Sequence, residues 1–193
     1  MAAGKELDGP PPEFESALQQ LRAAPLRPEI RCEDMPAPQR IAPYSAAMTG
    51  DILVAGDEVG TGRIVLLHDP TGNDAWHGTF RLVTFARADV DPEMLRDPVI
   101  AEVGWTWLTD ALEANDATLI APSGSVTTIA SEGFGGLADD GSSGQLEIRA
   151  SWTPTSDIGG HVSAWGDLLC TVAGLPPLAP GVAMLPSRRA RRG

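Results

Sequence analysis

Cysteine is scarce in this chain and badly placed for chemistry. Only Cys32 and Cys170 occur, far apart and without a CxxC pair, which excludes a zinc site built on thiolates. Both read as small core residues of a reducing compartment. Long apolar runs are missing too: the opening "MAAGKELDGPPPEF" has no apolar core of signal-peptide length, and no stretch approaches a membrane span. A cytoplasmic location with no membrane partner is the expectation.

Positive charge is also in short supply. Fourteen Lys and Arg face 26 Asp and Glu, a formal charge of −12, which argues against a general nucleic-acid binder because phosphate neutralisation needs a basic face. The exception is "SRRARRG" at the C-terminus, where Arg188, Arg189, Arg191 and Arg192 cluster. That cluster reads as a solvated tail, with an arm toward an acidic partner or RNA as the alternatives.

Recognisable catalytic and cofactor motifs are lacking as well. "PSGSV", Pro122 to Val126, lacks the second glycine of a nucleophile elbow. "GDEVGTG" matches neither phosphate-loop pattern and has strand-like flanks on both sides, so it is a hairpin turn. No cofactor is implied, and the balance leans away from an enzyme.

What is present describes a fold. A chain of 193 residues suits one domain, here residues 12–186 between a disordered N-terminus (1–11) and the arginine tail (187–193). The 21 Gly and 17 Pro predict long or proline-braced loops. Phe14, Leu18 and Leu21 recur at helical spacing, predicting a helix from Pro12 to about Ala24. The four prolines between Pro28 and Pro43 allow only an edge strand or an extended loop there.

Met48, Ile52 and Val54 share the parity of a half-buried strand. "TGRIVLLH" and "GTFRLVTFARA" are apolar on both parities and read as central strands. Between them "DPTG", Asp69 to Gly72, fits a type I turn. Asp91-Pro92 and Asp97-Pro98 are helix starts, the second opening a helix to about Ala114 with Ile100, Val103, Trp107 and Ala111 buried. "SVTTIAS" and "QLEIRASW" are strands, the latter with Leu146, Ile148, Ala150 and Trp152 on one side and Glu147, Arg149 and Ser151 on a solvated one. Asp157 caps a last helix bearing Ile158, Val162, Trp165, Leu169 and Val172, ended by Gly174.

The fold class is therefore α+β: a mostly antiparallel sheet of five to six strands with three helices on one face, in the order α-β-β-β-α-β-β-α. That order resembles the type III secretion chaperone-like fold, whose members are commonly acidic, dimeric binders of other proteins; the resemblance is one of element order alone.

Candidate site residues are few. His68 and His77 flank the predicted "DPTG" hairpin with Asp69 and Asp74 nearby, which raises a shared metal or a proton-transfer pair. A metal needs three or four converging ligands and Asp69 is committed to the turn, so ordinary polar contacts are the preferred reading. Of five tryptophans, Trp107, Trp152 and Trp165 fall on apolar faces and read as core. Trp76, in a loop tip, and Trp105, off its helix stripe, are candidates for a partner surface, as are Tyr44 and the nearby Arg40. Glu132 sits beside the flexible Gly135-Gly136 pair.

The wording "PAPQRIAPY", "GRIVLLHDPTGNDAWHGTFRLVTF", "VGWTWLTDAL", "SEGFGGLAD", "ASWTP" and "WGDLLCTVAGLPPLAPGV" resembles an actinobacterial family of uncharacterised proteins, the domain of unknown function numbered three thousand, over residues 13 to 186. The resemblance implies an intracellular bacterial origin and brings no catalytic residue. The leading expectation is a non-catalytic, protein-binding adaptor or chaperone-like module whose partner is another protein or a second copy. The alternatives are a small-molecule site or enzyme around His68, His77, Arg81 and Glu132, and RNA association through the tail.

Overall fold

A computed structural model of the chain describes residues 9–177. The arginine tail, and the predicted ends at 1–8 and 178–186, lie outside the described residues. The observed order is α1 (Pro12–Ala23), β1 (Ile30–Met35), β2 (Tyr44–Val54), β3 (Asp57–Asn73), β4 (Gly78–Val90), α2 (Ile100–Ala114), β5 (Leu119–Glu132), β6 (Ser142–Pro154) and α3 (Ile158–Val172), with short 3-10 turns at Met94–Arg96 and Gly135–Asp140. The strands form one antiparallel sheet in the order β1-β2-β3-β4-β6-β5. The α+β expectation holds, with the proline-flanked segment supplying the sixth strand as an edge. Among the described residues no helix is long and apolar enough to cross a membrane.

One face of the sheet carries the core. Ile52, Ile64, Leu66, Leu82, Leu146, Ile148 and Trp152 point to it, and α3 lies across it with Val162, Trp165, Leu168 and Leu169 all buried. Nearly every side of α3 is buried because it also packs against α1 and α2. The paired glycines Gly50 and Gly62 make its close approach possible. A Cβ at Gly50 would lie 2.8 Å from Trp165 Cη2, and one at Gly62 would collide with Leu169 Cδ2. The expected cap on α3 comes from elsewhere: Asp157 makes no side-chain cap bond, and the Ile158 N–H donates instead to Gln20 Oε1 of α1 at 2.7 Å.

Three local expectations are corrected. "DPTG" is not the hairpin tip. It is a bulge inside β3, where four residues between the His68–Phe80 and Asn73–Gly78 pairs oppose Thr79 alone. Its turn chemistry is real: Asp69 Oδ1 accepts from the Thr71 N–H and hydroxyl at 3.0 and 2.7 Å, and Gly72 has φ +82°. The tip follows at residues 74–77, closed by the Trp76 N–H donating to Asn73 O at 3.0 Å and by His77 at φ +58°.

The second correction concerns α2, which begins at Ile100 rather than Pro98 and buries Gly104, Leu108, Ala111 and Leu112, leaving Val103 exposed. Gly104 lets the helix settle against Val126 of β5, which rotates the expected stripe. The third is Val54. It is exposed because a bulge between Ile52 and Leu53 breaks the parity it shared with Ile52.

Candidate functional site

Among the described residues, no helix lies on the opposite face of the sheet. Strand register places Arg63 (β3), Phe85 (β4) and Arg149 (β6) side by side on it, with Ala47, Val65, Val83 and Ser151 forming the next row. The loop between β1 and β2 covers one end, packing Ala37 and Ala42 with Met35 and Trp76 onto Ala47, Val65 and Leu67. The rest is open. Val83 is 37% exposed, and a shallow depression of about 230 Å³ is lined by Arg63, Val65, Val83, Phe85 and Arg149.

Phe85 organises its neighbours. The guanidinium carbons of Arg63 and Arg149 lie 5.5 and 5.1 Å from its ring centroid, within cation–π range. Arg149 also meets Glu147 at 3.2 Å, while Arg63 and Arg87 make no ion pair among the described residues. Arg63, Arg87 and Arg149 surround Phe85 in one depression with a single acid, Glu147, while Asp51, Glu58 and Asp89 stand further along the open side. The patch around Phe85 is thus basic in a chain whose net charge is −12.

Arg81 lies beneath that face rather than on it. Only 8% exposed, it donates to Ala121 O, Thr153 Oγ1, Ser123 Oγ, and Ser151 O and Oγ at 2.8 to 3.2 Å. It pins β5 to β6 and β4 across the Ile120–Ser123 bulge. All its acceptors are neutral, and burial lowers its pKa.

The remaining predicted residues scatter. His68 is 1% exposed on the helix side, boxed by Phe14, Tyr44 and Phe80 with ring centroids 5.9, 6.1 and 4.1 Å away. Its Nδ1–H donates to Thr79 O at 3.0 Å, while Nε2 has no hydrogen-bond partner and lies 3.6 Å from Glu13 Oε1. His77 is exposed at the tip, so the two histidines do not share a site. Trp76 is half-buried on the open side, and its carbonyl accepts from Thr153 Oγ1.

Tyr44 belongs to the His68 box, whereas Arg40 is exposed in the loop at φ +71°, so the pair suggested by their closeness in sequence is separated. Trp105 is half-buried, its ring on the backbone of β5 at Gly124. Glu132 is exposed at the end of β5 that pairs with Ser142, the opposite end of the strands from His68 and His77. His68, His77, Arg81 and Glu132 therefore have no common pocket. Among the described residues no group of three His, Cys, Asp or Glu could hold a metal ion.

One further histidine merits a chemical test. His161 on α3 is fully buried, and burial brings its pKa down to about 4. Trp152 Nε1–H, which can only donate, gives its proton to His161 Nδ1 at 3.0 Å. Nε2 must then carry the imidazole proton and donate to Ser156 Oγ at 3.3 Å. It cannot act as a base toward that serine. Burial likewise raises the Cys32 and Cys170 thiols to about 11, far from a reactive thiolate at neutral pH.

Arg63, Phe85 and Arg149 were missed as a group by sequence reasoning. The alternation of "QLEIRASW" placed Arg149 on a solvated face, but which side chains stand beside it depends on cross-strand register, which periodicity alone does not supply.

No curated protein and no solved structure matches the chain. The type III secretion chaperone-like comparison thus rests on element order only. A family model described as "Protein of unknown function (DUF3000)" matches residues 10–183, and the chain belongs to that family.

Proposed function

We propose that this protein is a non-catalytic protein-binding module, that the open face of its sheet is the docking surface, and that the partner presents acidic side chains beside apolar ones. The observation that carries this reading is the Arg63–Phe85–Arg149 row beside Val65 and Val83. Arginine and aromatic side chains dominate the energetics of protein interfaces when they sit at the centre of a patch. Phe85 holds both guanidinium groups over an apolar floor, where each cation–π contact is worth about 0.5–1 kcal/mol while exposed. A carboxylate arriving from a partner displaces water from arginines that are already positioned, and the local excess of positive charge steers it there.

The chemistry elsewhere supports a binding role over a catalytic one. The buried contact between His161 and Ser156 has its proton on the wrong nitrogen for base catalysis, and the side chains considered for an enzyme site lie on different faces and ends of the sheet.

The test is affinity retention from the native cytosol with the full chain as bait, alongside Arg63→Glu and Arg149→Glu. The expected result is a reproducible protein partner that salt weakens and both reversals release. Identical retention by parent and reversed baits, or retention of nucleic acid alone, would overturn the proposal.

A further inference from the structure

The two edges of the sheet are finished differently. β1 has six residues, carries Arg31, Glu33 and Asp34, is bounded by Pro28 and Pro36, and is braced by the Arg22–Asp34 ion pair at 2.9 Å. Charge, shortness and proline are the usual devices that stop an edge from recruiting another strand. β5 carries them only at its ends, as Pro122 in the bulge and Glu132 as its last residue. It runs for 14 residues, no charged side chain occurs from residue 117 to 131, and past Pro122 it contains no proline. Its segment "SGSVTTIAS", residues 123–131, is paired to β6 on one side only and is exposed along most of its length. Ser, Thr, Val and Ile there favour an extended backbone.

We infer that β5 is the interface for a second copy of this chain, pairing antiparallel with its own counterpart to give a dimer with a continuous twelve-stranded sheet. A second copy fits because the strand is neutral in a chain of net charge −12. Edge-to-edge contact at β5 juxtaposes no like charges. With Thr127 on the two-fold axis, Ser125 meets Ile129 of the other copy and Ser123 meets Ser131, so side chains keep their faces. Glu132 then stands opposite Pro122 of the other copy, away from its own equivalent. Phe134 (75% exposed) and Leu137 (63%), in the loop after β5, lie at the end of the strand that would approach the bulged end of the other copy's β5. The axis is perpendicular to the sheet, so both open faces look the same way and a partner with two acidic segments is held twice.

Sedimentation of the full chain across the micromolar range tests this, together with oxidative cross-linking of Thr127→Cys and, on the other edge, Glu33→Cys. The expected result is a dimer, trapped covalently by T127C and not by E33C or the parent. Thr127→Lys puts like charges opposite each other on the axis, and Ile129→Lys sets a lysine against the other copy's Ser125; each should shift the species to monomer with an unchanged circular dichroism spectrum. A monomer at every concentration, cross-linking through residue 33 in place of 127, or a dimer indifferent to both lysines would overturn the inference.

Discussion

On β6, Leu146, Ile148, Ala150 and Trp152 are buried against the helices, while Glu147, Arg149 and Ser151, each one residue along, reach the other face. The same contrast runs through β4, where Leu82, Thr84 and Ala86 are buried and Val83 meets water. A strand sends successive side chains to opposite faces, so one backbone here supplies two chemically different surfaces. The helix side holds nearly all of the buried apolar surface and therefore the stability. The open side holds a basic, aromatic patch outside the buried core. Substitutions on the two faces should separate stability from binding.

The largest expected effect lies on the helix side. Trp165→Ala empties the space over Gly50 and should lower the unfolding free energy by about 3–5 kcal/mol in urea titration; a smaller loss would mean that α3 is less central than its burial implies. Arg81→Met comes next and sharpens the contrast, because Arg81 points toward the open side yet is buried. Stranding its five neutral acceptors should cost about 2–3 kcal/mol. Amide exchange should speed up first around Ala121 and Ser123, and normal protection there would contradict the pinning role.

pH probes the helix side in a third way. His161 has a folded pKa near 4 against 6.5 when unfolded, so the unfolded chain binds more protons in this window and acid favours it. The stabilisation is complete above pH 6.5 and declines as pH falls toward 4. Between pH 7 and 5 this one group should remove about 2 kcal/mol, and His161→Gln should flatten the dependence in that interval. The smallest effect belongs to the open face. Arg63→Ala, Phe85→Ala and Arg149→Ala should each change stability by no more than about 0.5–1 kcal/mol, measured by the same titrations.

Much of the helix side was legible in the sequence because it rests on local periodicity. Phe14 and Leu21, the alternation from Leu146 to Trp152, and the run Ile158, Val162, Trp165, Leu169 and Val172 are all buried as their spacing predicts. What failed was register and rotation. Four residues bulged into β3 moved the hairpin tip from "DPTG" to residues 74–77. A glycine at 104 turned α2 so that Leu108 and Leu112 replaced Val103. The patch was hidden for the same reason: Arg63, Phe85 and Arg149 are separated by 22 and 64 positions in the chain and are joined only by pairing across three strands. The left-handed backbone at His77 closes the tip and leaves that imidazole in solvent, while Trp76 folds back over Val65 and Leu67.

The central claim is that partners dock on the open face and not on the helices. Its most direct measurement places a photoreactive phenylalanine analogue at position 85, and in a separate chain at the exposed Asp110 of α2, and irradiates each in extract of its own cells. The account predicts a discrete protein adduct from position 85, reduced by added salt and absent from position 110. Equal adducts from both positions, or an adduct from position 110 alone, would contradict it.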